Sequence, residues 1–304
     1  MTNLTHLQSQ ISALLPNIET RFNEPMSKHT SFRIGGPAEA MLFPKTPDEL
    51  AEILRKSVLL DCKLAILGAG TNVLAPDEGL NGIVACLKDA LDGMELLDGN
   101  RIRVYAGVTM TRAAVFAANH GLSGLEFAHG IPGTVGGGVY MNAGAYGGEI
   151  CQVCESVTVM HPNGEISEIP CEQMDFSYRH SRLEGTGDIV ISAVFGLTYK
   201  PEKEIRELMQ ELMQRRKTSQ PLDLPSAGSA FKRPVGGYAA ALIQDAGLKG
   251  FRIGDAAISE KHSGFAVNLG NATATDVKQL LIAVSQKVYE MSGIRIEPEV
   301  RIWE

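Results

Sequence analysis

Residues 121–148 read GLSGLEFAHGIPGTVGGGVYMNAGAYGG. Gly130, Gly133, Gly136, Gly137, Gly138, Gly144, Gly147 and Gly148 crowd its centre among small and apolar residues. Glycine adds no packing and loses the most backbone freedom on folding. Such a density therefore marks backbone that takes unusual angles or approaches something closely. Gly130-Ile131-Pro132-Gly133 has the composition of a turn, because proline fixes one φ and glycine permits the next. Thr134 to Gly138 then predicts exposed amide N–H groups with little side-chain bulk, suited to an anionic or planar ligand. A tight loop at a sheet corner would share the pattern; the density of glycine and the polar insert Asn142 favour a ligand site.

A second glycine stretch lies upstream. Lys63 to Leu67 is a short apolar run that predicts a buried strand, and it leads into Gly68-Ala69-Gly70-Thr71-Asn72-Val73-Leu74. A dinucleotide-binding fingerprint needs a third glycine where Val73 stands and a helix after it. A Walker loop needs Gly-Lys-Ser/Thr, and no lysine follows Gly70. The turn Ala75-Pro76-Asp77-Glu78-Gly79 comes next, so this is a phosphate-type loop between strands and of neither common kind. The two glycine stretches together suggest one extended ligand carrying a pyrophosphate and a ring system.

The rest of the chain sets the frame. Its 304 residues suffice for two or three domains, and 44% hydrophobic with 21% charged residues is a globular composition. A net charge of −7 argues against a nucleic-acid groove or an anionic membrane as partner. No apolar run approaches a membrane span, and the first ten residues lack the basic and apolar regions of a signal peptide, so a cytoplasmic location is expected. Five cysteines in a chain of this size do not suggest a disulfide framework. Cys151-x-x-Cys154 lacks the second pair that zinc would need. It falls in a predicted strand over 150–160, so both thiols are expected in the core, and no metal site is expected.

Periodicity predicts a helix through Leu4, Leu7, Ile11, Leu14 and Leu15, stopped by Pro16. Another starts at Thr46, with Pro47 first and Glu49 closing a capping box. Asp98-Gly99 and Pro162-Asn163-Gly164 mark hairpins. Thr109 to His120 predicts a helix ended by Gly121, and 189–199 a long apolar strand. Lys203 to Lys217 predicts an amphipathic helix with Ile205, Leu208, Leu212 and Met213 on one face. Beyond the break at Pro221 come helices over 238–246 and 275–291 and a terminal strand over 294–303. Glu297 and Glu299, two apart in that strand, would share a face.

GAGTNVL, GIPGTVGG with MNAGAYGGE, SYRHS, PSAGSAFKRP and EPEVRIW occur in that order. Together they resemble the UDP-N-acetylenolpyruvoylglucosamine reductase (MurB) family, and the resemblance covers nearly all of the chain from KHTSFRIGG onward. It implies an α+β fold: a two-lobed FAD-binding domain of the vanillyl-alcohol-oxidase/PCMH type plus a smaller C-terminal α+β substrate domain. The lobes would be 1–84, with the terminal strand 296–304 returning to it, and 85–200. A linking helix 201–220 and a substrate domain 221–295 would follow.

The same resemblance implies FAD held without a covalent bond, NADPH as co-substrate and a UDP-sugar as substrate. The cofactor contacts would be Gly68, Ala69, Gly70, Thr71, Asn72, Val73 and Leu74 with Gly130, Ile131, Pro132, Gly133, Thr134, Gly136, Gly137, Asn142, Ala143 and Gly144. Arg179 would face the substrate carboxylate, a role that suits a bidentate guanidinium. Ser229 would supply a proton, which a serine does only when held against the centre it protonates. Glu299, the carboxylate immediately before Val300, would join Arg179 in stabilising an enolate-like intermediate. Tyr178, Lys217, Arg233 and Gln244 would contact substrate. Arg233 and Gly264 stand where many relatives carry asparagine. Two other readings stay open: an FAD-dependent oxidase of the same superfamily, and a nucleotide-binding module without catalysis. Many such oxidases attach FAD through a histidine or cysteine in the first glycine loop, and 68–74 contains neither.

Overall fold

The computed structural model describes residues 4–304. They form two compact units. The first takes the chain up to Phe22, Ala40–Ala69 and Asn81–Arg215; the second takes Asn23–Glu39, Gly70–Leu80 and Arg216–Glu304. Two of the places where the chain passes from one to the other lie inside the helix Glu202–Ser219 and within the first glycine loop, after Ala69.

The first unit opens with the helix His6–Leu14, capped reciprocally by Thr5 and Gln8. The helix Pro47–Leu59 begins at Thr46, as its residues predict, and buries Leu50, Ile53 and Leu54. Its Glu49 reaches one residue further back than the box motif requires, accepting from the Lys45 N–H at 2.6 Å. A four-stranded sheet runs in the order Glu19–Pro25, Pro37–Phe43, Leu80–Cys86, Leu64–Leu67. The last two strands pair in parallel.

A five-stranded antiparallel sheet completes the unit, in the order Ile166–Pro170, Cys154–Met160, Ile189–Gly196, Arg101–Tyr105, Met94–Leu97. The central strand is buried from Ile189 through Phe195, which explains its unbroken apolar run. Both predicted hairpins are present in it. Residues 150–152 form a 3₁₀ turn instead of the start of a strand, so the strand begins at Cys154. His161 ties the second hairpin to the start of the central strand: Nδ1 meets Asp188 Oδ1 at 2.8 Å and Nε2 meets Ser167 Oγ at 2.7 Å. One core joins both sheets to the helices through residues such as Leu42, Ile53, Ile102, Val139, Ile150 and Phe195.

The helix Glu202–Ser219 buries Ile205 as expected, with Met209 inward in place of the exposed Leu208; Leu212 and Met213 are half-buried. The true stripe steps by four residues, and a charged helix rich in leucine and methionine offers several such registers.

The second unit holds a sheet in the order Ser226–Ser229, Phe265–Asn268, Ala256–Ile258, Arg252–Ile253. The helices Ala239–Asp245 and Ala274–Ser292 share a core with Phe32, Ile34, Leu74, Ala230 and Phe231. Thr273 caps the long helix, and Gly293 ends it in the left-handed conformation. Asp77 adds a second cap: its carboxylate accepts from Ala274 N–H, Thr275 N–H and Thr275 Oγ at 2.7–3.0 Å. The predicted terminal strand shrinks to Arg301–Ile302, paired in parallel with Val73–Leu74. Pro298 supplies no N–H to a ladder, and only an isolated bridge to Phe231 forms there.

Candidate active site

The two glycine stretches meet in the first unit. A Cβ placed on Gly68 would lie 2.6 Å from Thr134 Oγ1, so only glycine allows the end of the first strand to reach the second loop. Thr134 is not in an open loop. It caps a short helix, Val135–Tyr140, accepting weakly from Gly137 N–H at 3.5 Å. The amides predicted to be exposed over 134–138 are therefore partly occupied: Val135 N–H donates to Val108 O at 2.8 Å and Gly136 N–H to Ala106 O at 2.9 Å. Gly136 sits so close to Ala106 that a Cβ would be 2.9 Å from its Cβ.

What remains is a smaller set of donors. Among the described residues, the backbone N–H groups of Ala69, Gly133 and Thr134 donate to no protein acceptor. Gly137 would meet only Thr134 Oγ1, at 3.7 Å, if it carried a Cβ. Uncommitted amides beside an open glycine fit the phosphates of a dinucleotide such as FAD, which would be held here by Gly68, Ala69, Gly133, Thr134 and Gly137. Gly130, Ile131 and Pro132 lead into this cradle from a 3₁₀ turn that ends at Gly130.

Downstream, Asn142, Ala143 and Gly144 follow the short helix. The Ala143 carbonyl accepts from Ile150 N–H at 3.1 Å, and Gly144 is pressed against Glu149, whose Cγ a Cβ would approach to 2.6 Å. Arg179 extends from a turn closed by mutual Ser177 and His180 backbone bonds of 3.2 Å. Its φ is +57°. Its guanidinium donates to Gly144 O at 3.4 Å and lies 4.9 Å from the ring centre of Tyr178, which is itself exposed. Arg179, Tyr178, Asn142 and Gly144 thus converge.

The second unit gathers another set. Ser229 ends its strand with an exposed side chain, between a left-handed Gly228 and buried Ala230 and Phe231. Glu299 N–H donates to Ala230 O at 2.9 Å, and Glu297 O accepts from Lys232 N–H at 2.9 Å. The chain around Pro298 therefore runs along the Ser229 segment. The two glutamates part company there: Glu297 is 77% exposed and pairs with Lys232 at 3.6 Å, whereas Glu299 buries its Oε2. Asn72 Nδ2 donates to Glu299 O at 3.2 Å, and Asn72 O accepts from Arg301 N–H at 3.0 Å. The Gly70–Leu74 half of the first glycine loop is thereby fixed beside Ser229 and Glu299. Gly70 lies so close to His29 O that any side chain would clash.

The other expected substrate contacts each have their own surroundings. Arg233 stacks on Tyr238 at 4.9 Å. Gln244 is exposed on the helix Ala239–Asp245. Lys217 is exposed near the end of its helix, and its carbonyl accepts from Lys261 Nζ at 2.7 Å. Gly264 O accepts from Ala230 N–H at 2.8 Å, so the position that departs from many relatives supports the Ser229 segment through its backbone. Sequence reasoning missed Ser181 and Glu149. Ser181 acts on Tyr140, 41 residues away, and Glu149 acts through the Asn142 side chain, so neither leaves a local pattern. No group of His, Cys, Asp and Glu among the described residues is arranged to hold a metal ion.

A mixed α+β chain in which two glycine loops meet beside uncommitted loop amides is that of a flavin-binding protein. Comparison with known proteins agrees. A family model described as an FAD binding domain matches residues 38–169, and one described as the UDP-N-acetylenolpyruvoylglucosamine reductase C-terminal domain matches 220–303. The chain is 43% identical over 311 residues to the UDP-N-acetylenolpyruvoylglucosamine reductase of Agathobacter rectalis, covering 99% of this chain and 98% of that one. It is 44% identical over 296 residues to that of Caldanaerobacter subterraneus, covering 97% of each. The crystal structure of the Thermus caldophilus enzyme matches with a TM-score of 0.77 at 35% identity, over 95% of this chain and 99% of that one. The chain belongs to the UDP-N-acetylenolpyruvoylglucosamine reductase family. The expected α+β class, with an FAD-binding part and a C-terminal domain, holds.

Proposed function

We propose that this protein reduces UDP-N-acetylglucosamine enolpyruvate to UDP-N-acetylmuramate, with NADPH as the electron source, in the synthesis of peptidoglycan precursors. The observation that carries this reading is the backbone bond from Glu299 to Ala230, the residue next to Ser229, alongside full-length similarity to enzymes of that name. FAD, when bound, would supply the hydride chemistry that links NADPH to the substrate. It is held without a covalent bond, since 68–74 offers no histidine or cysteine.

The chain's own residues do the rest. Arg179 presents a fixed guanidinium to the substrate carboxylate, where negative charge grows as the double bond is reduced. Ser229 Oγ holds the proton that goes to the carbon next to that carboxylate, and solvent restores it, consistent with its exposure. Glu299 joins Arg179 in stabilising the enolate-like intermediate. Tyr178, Lys217, Arg233 and Gln244 contact the UDP-sugar. Among the described residues no helix is long and apolar enough to cross a membrane, and the net charge of −7 suits a cytoplasmic enzyme of small substrates.

The test is a turnover assay on purified yellow protein with the enolpyruvyl UDP-sugar and NADPH. Stoichiometric NADPH oxidation with formation of the lactyl ether supports the reading. Flavin that reduces oxygen but leaves the UDP-sugar untouched overturns it in favour of an oxidase. Acid precipitation that leaves the colour in the pellet overturns the non-covalent assignment.

A further inference from the structure

Arg179 occupies a conformation that an arginine does not choose. Its left-handed φ of +57° costs roughly 1–2 kcal/mol for a residue with a Cβ. The two Ser177–His180 backbone bonds that close its turn are long, at 3.2 Å each. Something must hold the turn, and the structure shows two anchors, one on each side of Arg179.

The first anchor is Asn142, whose residue is 1% exposed. Its amide is taken up by the protein: Nδ2 donates to Ser177 O at 3.0 Å and to Glu149 Oε2 at 3.2 Å, and Oδ1 accepts from Cys151 N–H at 3.0 Å. That leaves the side chain no free donor for the cofactor contact expected of Asn142. The second anchor is Ser181, which is 0% exposed and donates from Oγ to Tyr140 O at 2.8 Å. Asn142 grips the residue two before Arg179; Ser181 is the residue two after it. Both anchors tie back to one short segment, Tyr140–Asn142, at the end of the glycine helix. Asn142 is itself left-handed at φ +41°, a conformation asparagine tolerates better than most residues.

We propose that Asn142 and Ser181 are positioning residues that clamp the Arg179 turn, so that the segment leaving the glycine helix sets where the guanidinium stands. This rests on the reading of Arg179 as the partner of the substrate carboxylate. Buried, fully satisfied amides of this kind hold a geometry rather than make contact with substrate. A misplacement of the order of 1 Å at a catalytic group costs about 100-fold in rate.

The experiment is a double-mutant cycle on the FAD-loaded full chain, with Asn142→Ala, Ser181→Ala, Arg179→Ala and the Asn142→Ala/Arg179→Ala pair. Three quantities are read: reoxidation of reduced flavin by the enolpyruvyl substrate, reduction of flavin by NADPH, and hydrogen exchange of the 177–181 amides without substrate. Asn142→Ala slows reoxidation by about 10–100-fold, leaves reduction within about twofold, and speeds exchange of the His180 amide. In the Arg179→Ala background the same change adds less than about twofold, because there is no guanidinium left to misplace. A loss that persists undiminished in that background overturns the clamp and leaves the Arg179 reading intact. An Arg179→Ala enzyme that reoxidises at the wild-type rate overturns the Arg179 reading and the clamp with it. If Asn142→Ala does not fold, Ser181→Ala, which removes one hydroxyl, runs the same cycle, and the same two results overturn the clamp.

Discussion

The backbone N–H of Glu299 donates to the carbonyl oxygen of Ala230 at 2.9 Å. That bond fixes the residue immediately after Ser229 to the glutamate 69 positions later in sequence. A further bond from Asn72 to the Glu299 carbonyl adds a third strand of chain to the same place. Serine is a weak acid, and it acts as a proton donor only if its backbone is held still.

Ser229→Ala should separate the two half-reactions. Flavin content and reduction by NADPH stay near wild type, while reoxidation by the enolpyruvyl substrate falls by about 10²–10⁴-fold, the usual contribution of a positioned general acid. Ser229→Cys restores part of that rate, because a thiol of similar size is the stronger acid. Stopped-flow absorbance of the flavin follows both steps. Wild-type reoxidation in the alanine variant would remove Ser229 from the mechanism and make Glu299 the next candidate.

Arg179→Ala removes a charge-assisted contact worth roughly 1.5–3 kcal/mol. Substrate binding and reoxidation both weaken, and reduction by NADPH is spared. Arg179→Lys keeps the charge but not the planar two-pronged geometry, so it recovers binding more than rate. Titration calorimetry of the oxidised protein with substrate, beside the kinetics, checks the split. A parallel fall in flavin reduction would mean that Arg179 serves the cofactor or the fold.

Asp77 contributes stability that depends on pH. Burial alone would raise its pKa, but the bonds from Ala274, Thr275 and the Thr275 hydroxyl, with Lys278 nearby, outweigh it and hold the pKa below the ordinary 3.8. A carboxyl lowered on folding stabilises the folded state above its unfolded value, and the contribution is lost as pH falls from there through the folded value. Asp77→Ala should therefore destabilise by about 0.5–1 kcal/mol at neutral pH, the lower part of the range for a lost helix cap because the carboxylate is largely exposed. The deficit should shrink toward zero in acid below pH ~4. Urea melts at pH 7 and pH 3 read this; a deficit of equal size at both would show that the bonds do not depend on the charge.

Much of the frame was legible locally. Thr46, Thr109 and Thr273 each begin a helix as N-caps, and Asp98-Gly99 and Asn163-Gly164 sit between paired strands. The helix Val135–Tyr140 was not, since three consecutive glycines have nearly the lowest helix propensity. Tertiary packing overrides that propensity: a Cβ on Gly138 would meet Met110 Sδ at 2.8 Å, so the glycines permit close approach to the neighbouring helix. The glycine loops of the site announce themselves by composition. The clamp on Arg179 does not, because Asn142 and Ser177 lie 35 residues apart and each alone looks like ordinary loop polarity. Glu297 and Glu299 lie two apart, yet one is exposed and the other buries a carboxylate oxygen, a difference that spacing alone does not carry.

The Cys151-x-x-Cys154 pair gives the last prediction. The two thiols do not form a redox pair on one turn. Cys151 is partly exposed in the 3₁₀ turn, and Cys154 is buried at the start of the strand that follows. Burial pushes the thiol pKa up at Cys151, Cys154, Cys171 and Cys86, and most at Cys154, where the neighbouring Cys171 adds to it. A thiol is nucleophilic only as thiolate, so high pKa and burial act together against reaction. Brief iodoacetamide labelling of the native protein at pH 8, read by peptide mass spectrometry, should leave Cys86 and Cys154 unmodified. Both should label fully once urea unfolds the chain. Cys151 and Cys171 should label slowly in the native state, since they are reachable but protonated. Rapid native labelling of Cys154, or a Cys151–Cys154 disulfide in air-equilibrated protein, would overturn this expectation.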